Sequence, residues 1–392
     1  MPRPSTAPTS SIPLTLVQEL RSLLGPDAVI ADTTRLASYE SDALAMYHQD
    51  AELVVLPKDT AEAAAAMRLF AAAGVPVVPR GAGTGLTGGA RPVTGGVVIG
   101  TARMRQIFEV NPTDRFARVG AGLVNVNLTR ACVHHDLFYA PDPSSQRACT
   151  IGGNVANNSG GPHGFKYGST TRHIIGLKIV THDGEVLDLS TPTLDPEGLD
   201  LVGLFVGSEG TFGLATEVTV KLTESPAAVE TLLAVFDGDD GLDRACDAVT
   251  EMIAAGLEPA AIEILDTLTI EAVEDSVFAA GYPREASAAL LVEVDGAEAE
   301  VRGISDDVLA VFGRHGALET RRAADAKERD KLWAGRKGAF GAMGRVAPDL
   351  YVADAVVPRT KLREMVAKTV EICARYEPKL ATAFPAGAGH LH

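Results

Sequence analysis

Pro79-Arg-Gly-Ala-Gly-Thr-Gly-Leu-Thr-Gly-Gly-Ala90 is the stretch on which the fold of this chain turns. Within it, Gly83-x-Gly85-x-x-Gly88 matches the dinucleotide fingerprint. That fingerprint carries meaning only between a strand and a helix, whose N-terminus receives the pyrophosphate. Here Arg91, Pro92, Gly95 and Gly96 follow, then the strand-like run Val97-Val98-Ile99, so no helix can begin there. Upstream, a helical stretch from Thr60 to Ala73 precedes strand-like Val75-Pro76-Val77-Val78. The loop therefore joins strand to strand, which disfavours a Rossmann NAD dehydrogenase. It offers a nest of bare backbone N–H groups to an anion such as a pyrophosphate, without a helix dipole and with Arg80 to add charge. Taken alone, a flexible surface loop would explain the same glycines.

Outward from that loop, 392 residues exceed the usual size of one core, so two domains are expected. With only 5% aromatic residues and a net charge of −16, neither nucleic acid nor an anionic membrane is an expected partner. No apolar run reaches spanning length, so no integral membrane segment is expected. The Pro-, Ser- and Thr-rich residues 1–13 read as a disordered tail. Cys132, Cys149, Cys246 and Cys373 form no Cys-x-x-Cys pair, which argues against a thiolate metal cluster and for a reduced, cytoplasmic protein.

Along the chain, residues 14–47 read as a helical segment, with helices at Leu14 to Leu24 and around Thr34 to Ser41. Asp59 with Glu62 resembles a capping box, and Gly74 ends the helix between them and itself. His182-Asp183-Gly184 signals a hairpin. Pro141 to Gly168 shows almost no regular pattern and holds six glycines, and so long a structureless stretch inside a domain is usually functional. A third glycine loop, Gly207 to Gly213, follows strand-like Leu204-Phe205-Val206. Three such loops suit an elongated cofactor with several polar zones. From residue 227 a strand–helix alternation begins a second α/β unit, giving domains at 48–226 and 227–392.

The series PRGAGTG, PDPSSQ…TIGGN, NSGGPHGFKYG and GSEGTFG resembles the flavin-binding domain of the vanillyl-alcohol oxidase and p-cresol methylhydroxylase class. Leu332-Trp333-Ala-Gly-Arg336-Lys337-Gly-Ala-Phe340 and Asp349-Leu-Tyr-Val-Ala-Asp354 are similar to the glycolate oxidase catalytic subunit and to cytochrome- or quinone-linked D-lactate dehydrogenases. The resemblance runs from about Ser38 to Phe384. It implies an α+β protein: a two-subdomain FAD-binding domain of the p-cresol methylhydroxylase type, then an incomplete α/β substrate domain capping it. It assigns the FAD pyrophosphate to Arg80, Gly81, Ala82, Gly83, Thr84 and Gly85. Pro141, Asp142, Ser144, Ser145, Gly152, Gly153 and Asn154 fall to the ribityl chain and flavin. Gly160, His163 and Tyr167 lie in the next flavin-side loop, and Gly207, Glu209 and Gly210 in the last. Relatives with covalent FAD place a histidine where this chain has Thr84, so non-covalent FAD is expected.

A charge argument points to the substrate. From Arg314 to Arg345, nine Lys or Arg face four Asp or Glu, a local +5 in an acidic chain. Such a region steers small anions, and Arg336 and Arg345 are the best carboxylate clamps. The resemblance makes Arg336 the substrate-carboxylate arginine and implies oxidation of a D-2-hydroxy acid, glycolate or D-lactate. Hydride passes from C2 to flavin N5 and electrons to a quinone, cytochrome or iron–sulfur partner subunit, with a peripheral seat on the inner membrane face as one option. The chain departs from the family at its end. Relatives read His-Ala-Gly-Asp-Gly-Asn-Leu-His across Pro385 to His392, so only His392 keeps one of two histidines that, with a later glutamate, hold a metal in some relatives. His392 remains a catalytic candidate, no divalent metal is expected, and the end reads as C-terminally truncated. A non-catalytic flavin-binding or scaffold subunit is the competing reading.

Overall fold

Asp59 opens the helix Thr60–Ala73 as its spacing predicts: the carboxylate accepts from the Glu62 amide at 2.9 Å, and Gly74 closes the helix at φ 65°. In this computed structural model, which describes residues 12–190, 198–376 and 379–392, that helix belongs to the first of two units. The first unit runs to Tyr139 and adds Ser145–Ser159 and Thr170–Thr223; the second is Ala140–Ser144, Gly160–Ser169 and Glu224–His392.

Two sheets build the first unit. One has the order Val29–Ile30, Leu53–Val55, Val97–Gly100, Val77–Arg80, its last three strands parallel. The other is antiparallel: Ile107–Asn111, Phe116–Gly120, Leu214–Lys221, Ile174–Val180, Val186–Asp188. Its last pair is the expected hairpin, turning through Gly184 at φ 81°. The tail reading for 1–13 lies mostly outside the described residues. Ile12, however, is 4% exposed and packs with Leu16 and Leu20 of helix Leu14–Leu24, so order begins before residue 14.

Two expectations fail here. Leu204-Phe205-Val206 is not a strand: Leu201–Phe205 is helical, and the Asp200 carboxylate accepts from the Gly203 amide at 2.7 Å. A short apolar run cannot by itself separate strand from helix, and the N-cap decides. Nor is Pro141 to Gly168 structureless. Thr150 caps a helix, Ile151–Asn157, and a single helical turn follows at Gly164–Tyr167.

In the second unit every strand pairing is antiparallel, in the order Glu319–Arg322, Ala228–Phe236, Ala288–Gly296, Ala261–Asp266, Ala383–Pro385. Strand side chains alternate between faces. One face buries Leu232, Ala234, Ile262, Leu290 and Val292 in a core shared with helices Gly241–Ala254 and Glu298–Arg314. The other buries Leu233, Val235, Leu265 and Leu291 with Trp333 of helix Ala326–Ala342. The same parity brings Thr231, Glu263, Glu293 and Asp295 to this second face, an unusual load of acid for a sheet interior. Among the described residues no helix is long and apolar enough to cross a membrane.

Candidate functional site

The first glycine loop leaves the strand Val77–Arg80, and Arg80 shapes it from behind. Its guanidinium donates to the carbonyls of Ser41 at 2.8 Å and Ala90 at 3.1 Å, and it lies 5.4 Å from the Tyr39 ring centroid. With Arg80 only 7% exposed and engaged in this way, it is a strut for the loop, and its positive charge lies beside the loop's amides. Gly83, at φ 72°, has the guanidinium where a Cβ would sit, 2.2 Å from Nη2. The amide groups of Gly81, Ala82, Gly83, Thr84 and Gly85 donate to no acceptor among the described residues, so five successive donors await an anion.

A helix does stand against this loop, although none follows it in sequence. A Cβ on Gly81 would lie 2.6 Å from Oγ1 of Thr150, the cap of Ile151–Asn157. That helix buttresses the loop with its own first amides already bonded: Ile151 to the Leu123 carbonyl (2.9 Å), Gly152 to Ala121 (2.7 Å), Gly153 to Thr150 Oγ1 (3.2 Å). Gly152 must be glycine, since a Cβ would meet that of Ala121 at 2.7 Å. Asn154 faces inward, bonded to Asn125 (2.9 Å) and Cys149 Sγ (3.4 Å). The third loop clasps the far end of the helix: Gly207 and Glu209 donate to the carbonyls of Val155 and Ala156, each at 2.8 Å. Glu209 holds φ 52°, rare for a residue with a side chain, and Gly210 lies against Pro79. The three glycine segments thus meet in one unit, with orphan donors on the first. That donor set fits the pyrophosphate of a dinucleotide such as FAD. Ser145 sits in the turn before Thr150, its carbonyl accepting from Ala148 and Cys149 at 2.8 Å.

Pro141, Asp142, Ser144, Gly160, His163 and Tyr167 belong to the second unit. There His163 bridges two acids: Nδ1 to Asp142 and Nε2 to Glu293, both 2.8 Å. Lys337 reaches Asp142 at 2.8 Å, while Thr231 and the Trp333 indole donate to Glu293. Burial opposes the charge on His163, but the Asp142 charge and hydrogen bond, with Glu293, raise its pKa to about 10. Burial would raise both acids; His163, joined at Asp142 by Lys337, holds them below the usual carboxylate range. The group is a charge-balanced cross of two cations and two anions. Beside it, Lys166 and Tyr167 both bond Asp295, the phenol at 2.6 Å. The polar atoms of His163 and Tyr167 are therefore occupied within the second unit.

Helix Ala326–Ala342 presents Trp333, Arg336 and Lys337 at i, i+3 and i+4, one face of a helix. Arg336 Nε donates to Glu263 at 2.7 Å and Nη2 leans to the Ala383 carbonyl at 3.4 Å, leaving Nη1 without an acceptor among the described residues. Burial pushes the Glu263 carboxyl up against the pull of Arg336, and its Oε1 is buried without a partner. Arg345 is exposed in the turn Met343–Arg345 and shares no hydrogen bond or ion pair with this group. His392 lies in the field of Arg336; burial first, and then that charge, lower its pKa. Pro385 stands where the resemblance places a histidine, directly opposite Glu263 across the sheet, so the family's metal donors are not reproduced. The fold sets His390 and Asp354 beside His392: Asp354 Oδ1 is 3.6 Å from His390 Nδ1 and 3.3 Å from His392 Nδ1.

Glu263, Glu293, Asp295, Asp354 and His390 escaped the sequence reading. A signal existed for the first three. Each is an acid at an alternating position of a strongly apolar strand, in Ala-Ile-Glu263-Ile-Leu and Leu-Leu-Val-Glu293-Val-Asp295. An acid in that position must be paired if the strand is buried.

The FAD binding domain matches residues 51–190, and the C-terminal domain of FAD linked oxidases matches 225–392. The glycolate oxidase subunit GlcD of Escherichia coli K12 is 44% identical over 354 residues, covering 90% of this chain and 70% of that protein. A D-lactate dehydrogenase of Anaerostipes hadrus is 29% identical over 377 residues, covering 94% and 78%. The solved structure of p-cresol methylhydroxylase with substrate bound shares the fold at a TM-score of 0.80 and 15% identity, covering 99% of this chain and 83% of its own. Fold class and cofactor stand as the sequence implied. With both halves matched and a relative this similar along most of its length, the chain belongs to the family of FAD-linked oxidases.

Proposed function

We propose that this protein oxidises a small D-2-hydroxy acid, glycolate or D-lactate, with FAD held non-covalently. Residues 48–226 serve the cofactor and 227–392 the substrate. FAD, when bound, supplies a two-electron acceptor; its pyrophosphate takes the free amides of Gly81 to Gly85. The observation that carries the substrate class is Arg336, a buried guanidinium whose orientation is set by Glu263 and whose Nη1 is unclaimed. A carboxylate there gains a charge-assisted hydrogen bond away from bulk water. The hydroxyl end is assigned to His392. His163 is unsuited to remove the hydroxyl proton, since each ring nitrogen already faces a carboxylate and the ring is charged at neutral pH. Electrons leave to a quinone, cytochrome or iron–sulfur partner.

The test is an anaerobic visible spectrum of the FAD-loaded protein before and after D-lactate or glycolate. Bleaching of the flavin band supports the proposal. A band that persists with both acids removes it and favours the scaffold subunit. Release of all FAD into the supernatant on acid precipitation is the expected sign of non-covalent binding.

A further inference from the structure

Helix Thr267–Glu274 ends on an acid, the wrong sign for a helix C-terminus, where the dipole favours cations. The carboxylate is used elsewhere. Glu274 Oε1 accepts from the amides of Ala280, Gly281 and Tyr282 at 2.8, 2.8 and 3.0 Å. Three successive amides converging on one charged oxygen form a nest, filled here by the chain's own side chain. Gly281, at φ 85°, supplies the turn that the nest requires. Ser276 ties the near end: its Oγ donates to the Val273 carbonyl at 2.7 Å and accepts from the Phe278 amide at 3.0 Å. Val277 between them is 94% exposed, so hydrogen bonds rather than burial order this end of the segment.

What this segment touches is the helix that carries Arg336. Tyr282 donates its hydroxyl to the carbonyl of Leu332 at 2.6 Å, and Leu332 stands one helical turn before Arg336. A Cβ on Gly335 would meet Ala280 Cβ at 2.6 Å and Tyr282 Cε2 at 2.9 Å, and one on Gly338 would enter the Phe278 ring. Helix and segment are thus in close contact immediately before Arg336 and immediately after Lys337. We propose that Glu274 is a positioning residue for Arg336. By holding residues 276–282 in its nest, it sets the axial place and rotation of helix Ala326–Ala342, and with them the place of the open Nη1. Glu263 fixes only the guanidinium end of that side chain; the segment fixes its backbone end. With glycine at 335 and 338, the helix has no side chain there to key it against its neighbour, so a loosened segment lets it slide. An arginine that anchors a carboxylate does so alike in ground state and transition state, and its displacement is read in KM before kcat.

This role rests on the assignment of Arg336 to the substrate carboxylate, and the test separates the two. In the FAD-loaded full chain, Glu274→Ala is expected to raise KM for D-lactate or glycolate about five-fold or more, with kcat within about two-fold. Glu274→Gln, which keeps an acceptor oxygen, is expected to stay within about two-fold of the parent in both. In an Arg336→Lys background, Glu274→Ala is expected to raise KM by less than a further two-fold or so, since its effect passes through the arginine. Labelling of Arg336 by phenylglyoxal, followed by peptide mass, needs no turnover and is expected to run about five-fold faster in Glu274→Ala. Trp333 emission identical to the parent shows that a variant is folded. Phe278→Leu, expected to raise KM about two-fold or more, serves if Glu274→Ala is not. An unchanged KM, a fall in kcat at constant KM, or full additivity with Arg336→Lys overturns the role of Glu274. If the parent oxidises neither acid, the assignment of Arg336 fails by itself and labelling decides: a faster rate supports the hold of Glu274 on Arg336, and an unchanged rate overturns it.

Discussion

An imidazole with a carboxylate 2.8 Å from each nitrogen has two N–H donors to give, so His163 is held as imidazolium. Removing it leaves Asp142 and Glu293 buried with less compensation, the costly way to break a buried ion network. His163→Gln is therefore expected to destabilise the second unit by about 3 kcal/mol, read from urea unfolding followed by Trp333 emission. A loss under about 1 kcal/mol would show the cross to be marginal. For the substrate, Arg336→Lys keeps a charge but forfeits the fork that Glu263 orients; KM for D-lactate or glycolate is expected to rise about 10–100-fold. Arg345→Ala, in an exposed turn, is expected to change KM less than about two-fold, and equal effects from both would return Arg345 to the clamp. Arg336 was legible in its local motif. The partners of His163 were not: they lie 21 and 130 residues away, and no local window reveals such pairing.

At the scale of elements, Ile151–Asn157 is instructive, because Gly152 and Gly153 argue against a helix by propensity. Packing overrides propensity here: only glycine lets the helix lie on Ala121 and lets the first loop lie on Thr150. Gly81→Ala would put a methyl 2.6 Å from Thr150 Oγ1, displacing the loop whose amides we assign to FAD. An FAD affinity about ten-fold weaker is expected, corresponding to about 1.4 kcal/mol. Thr150→Ala by itself should cost about 1 kcal/mol as a lost N-cap, yet should relieve the clash. FAD binding by the double variant is thus expected to be less impaired than the sum of the two singles, and strict additivity would sink the contact as the cause. The strands beside this helix were readable because their apolar runs end in turn signals. The helix was hidden because its glycines serve close approach, which no single-residue preference encodes.

Across the molecule, composition foretold two units but overstated the positive field near Arg336. Arg314, Arg322, Arg336 and Lys337 pair with acids from outside that stretch, so the local +5 is largely cancelled by Glu251, Glu230, Asp306, Glu263 and Asp142. A count of charges along the chain carries no information about which acids fold back against them. What survives is a pH dependence, and its sign follows from the shifts. The folded His163 pKa, about 10, lies above the ordinary value of 6.5, so its contribution is fully present below about pH 6.5 and is lost as pH rises through about 10. Asp142 and Glu293 are shifted down, so theirs is present above the ordinary carboxylate range and is lost as pH falls through their folded values. Trp333, the single tryptophan of the chain, sits against Glu293 and reports the second unit alone. Its thermal midpoint is expected to be highest between about pH 5 and 6.5, declining on both sides. In His163→Gln the alkaline decline between about pH 6.5 and 10 is expected to flatten while the acid limb, set by groups elsewhere as well, persists. An unchanged alkaline limb would mean that another group carries it and that His163 is not the cation at the centre of the cross.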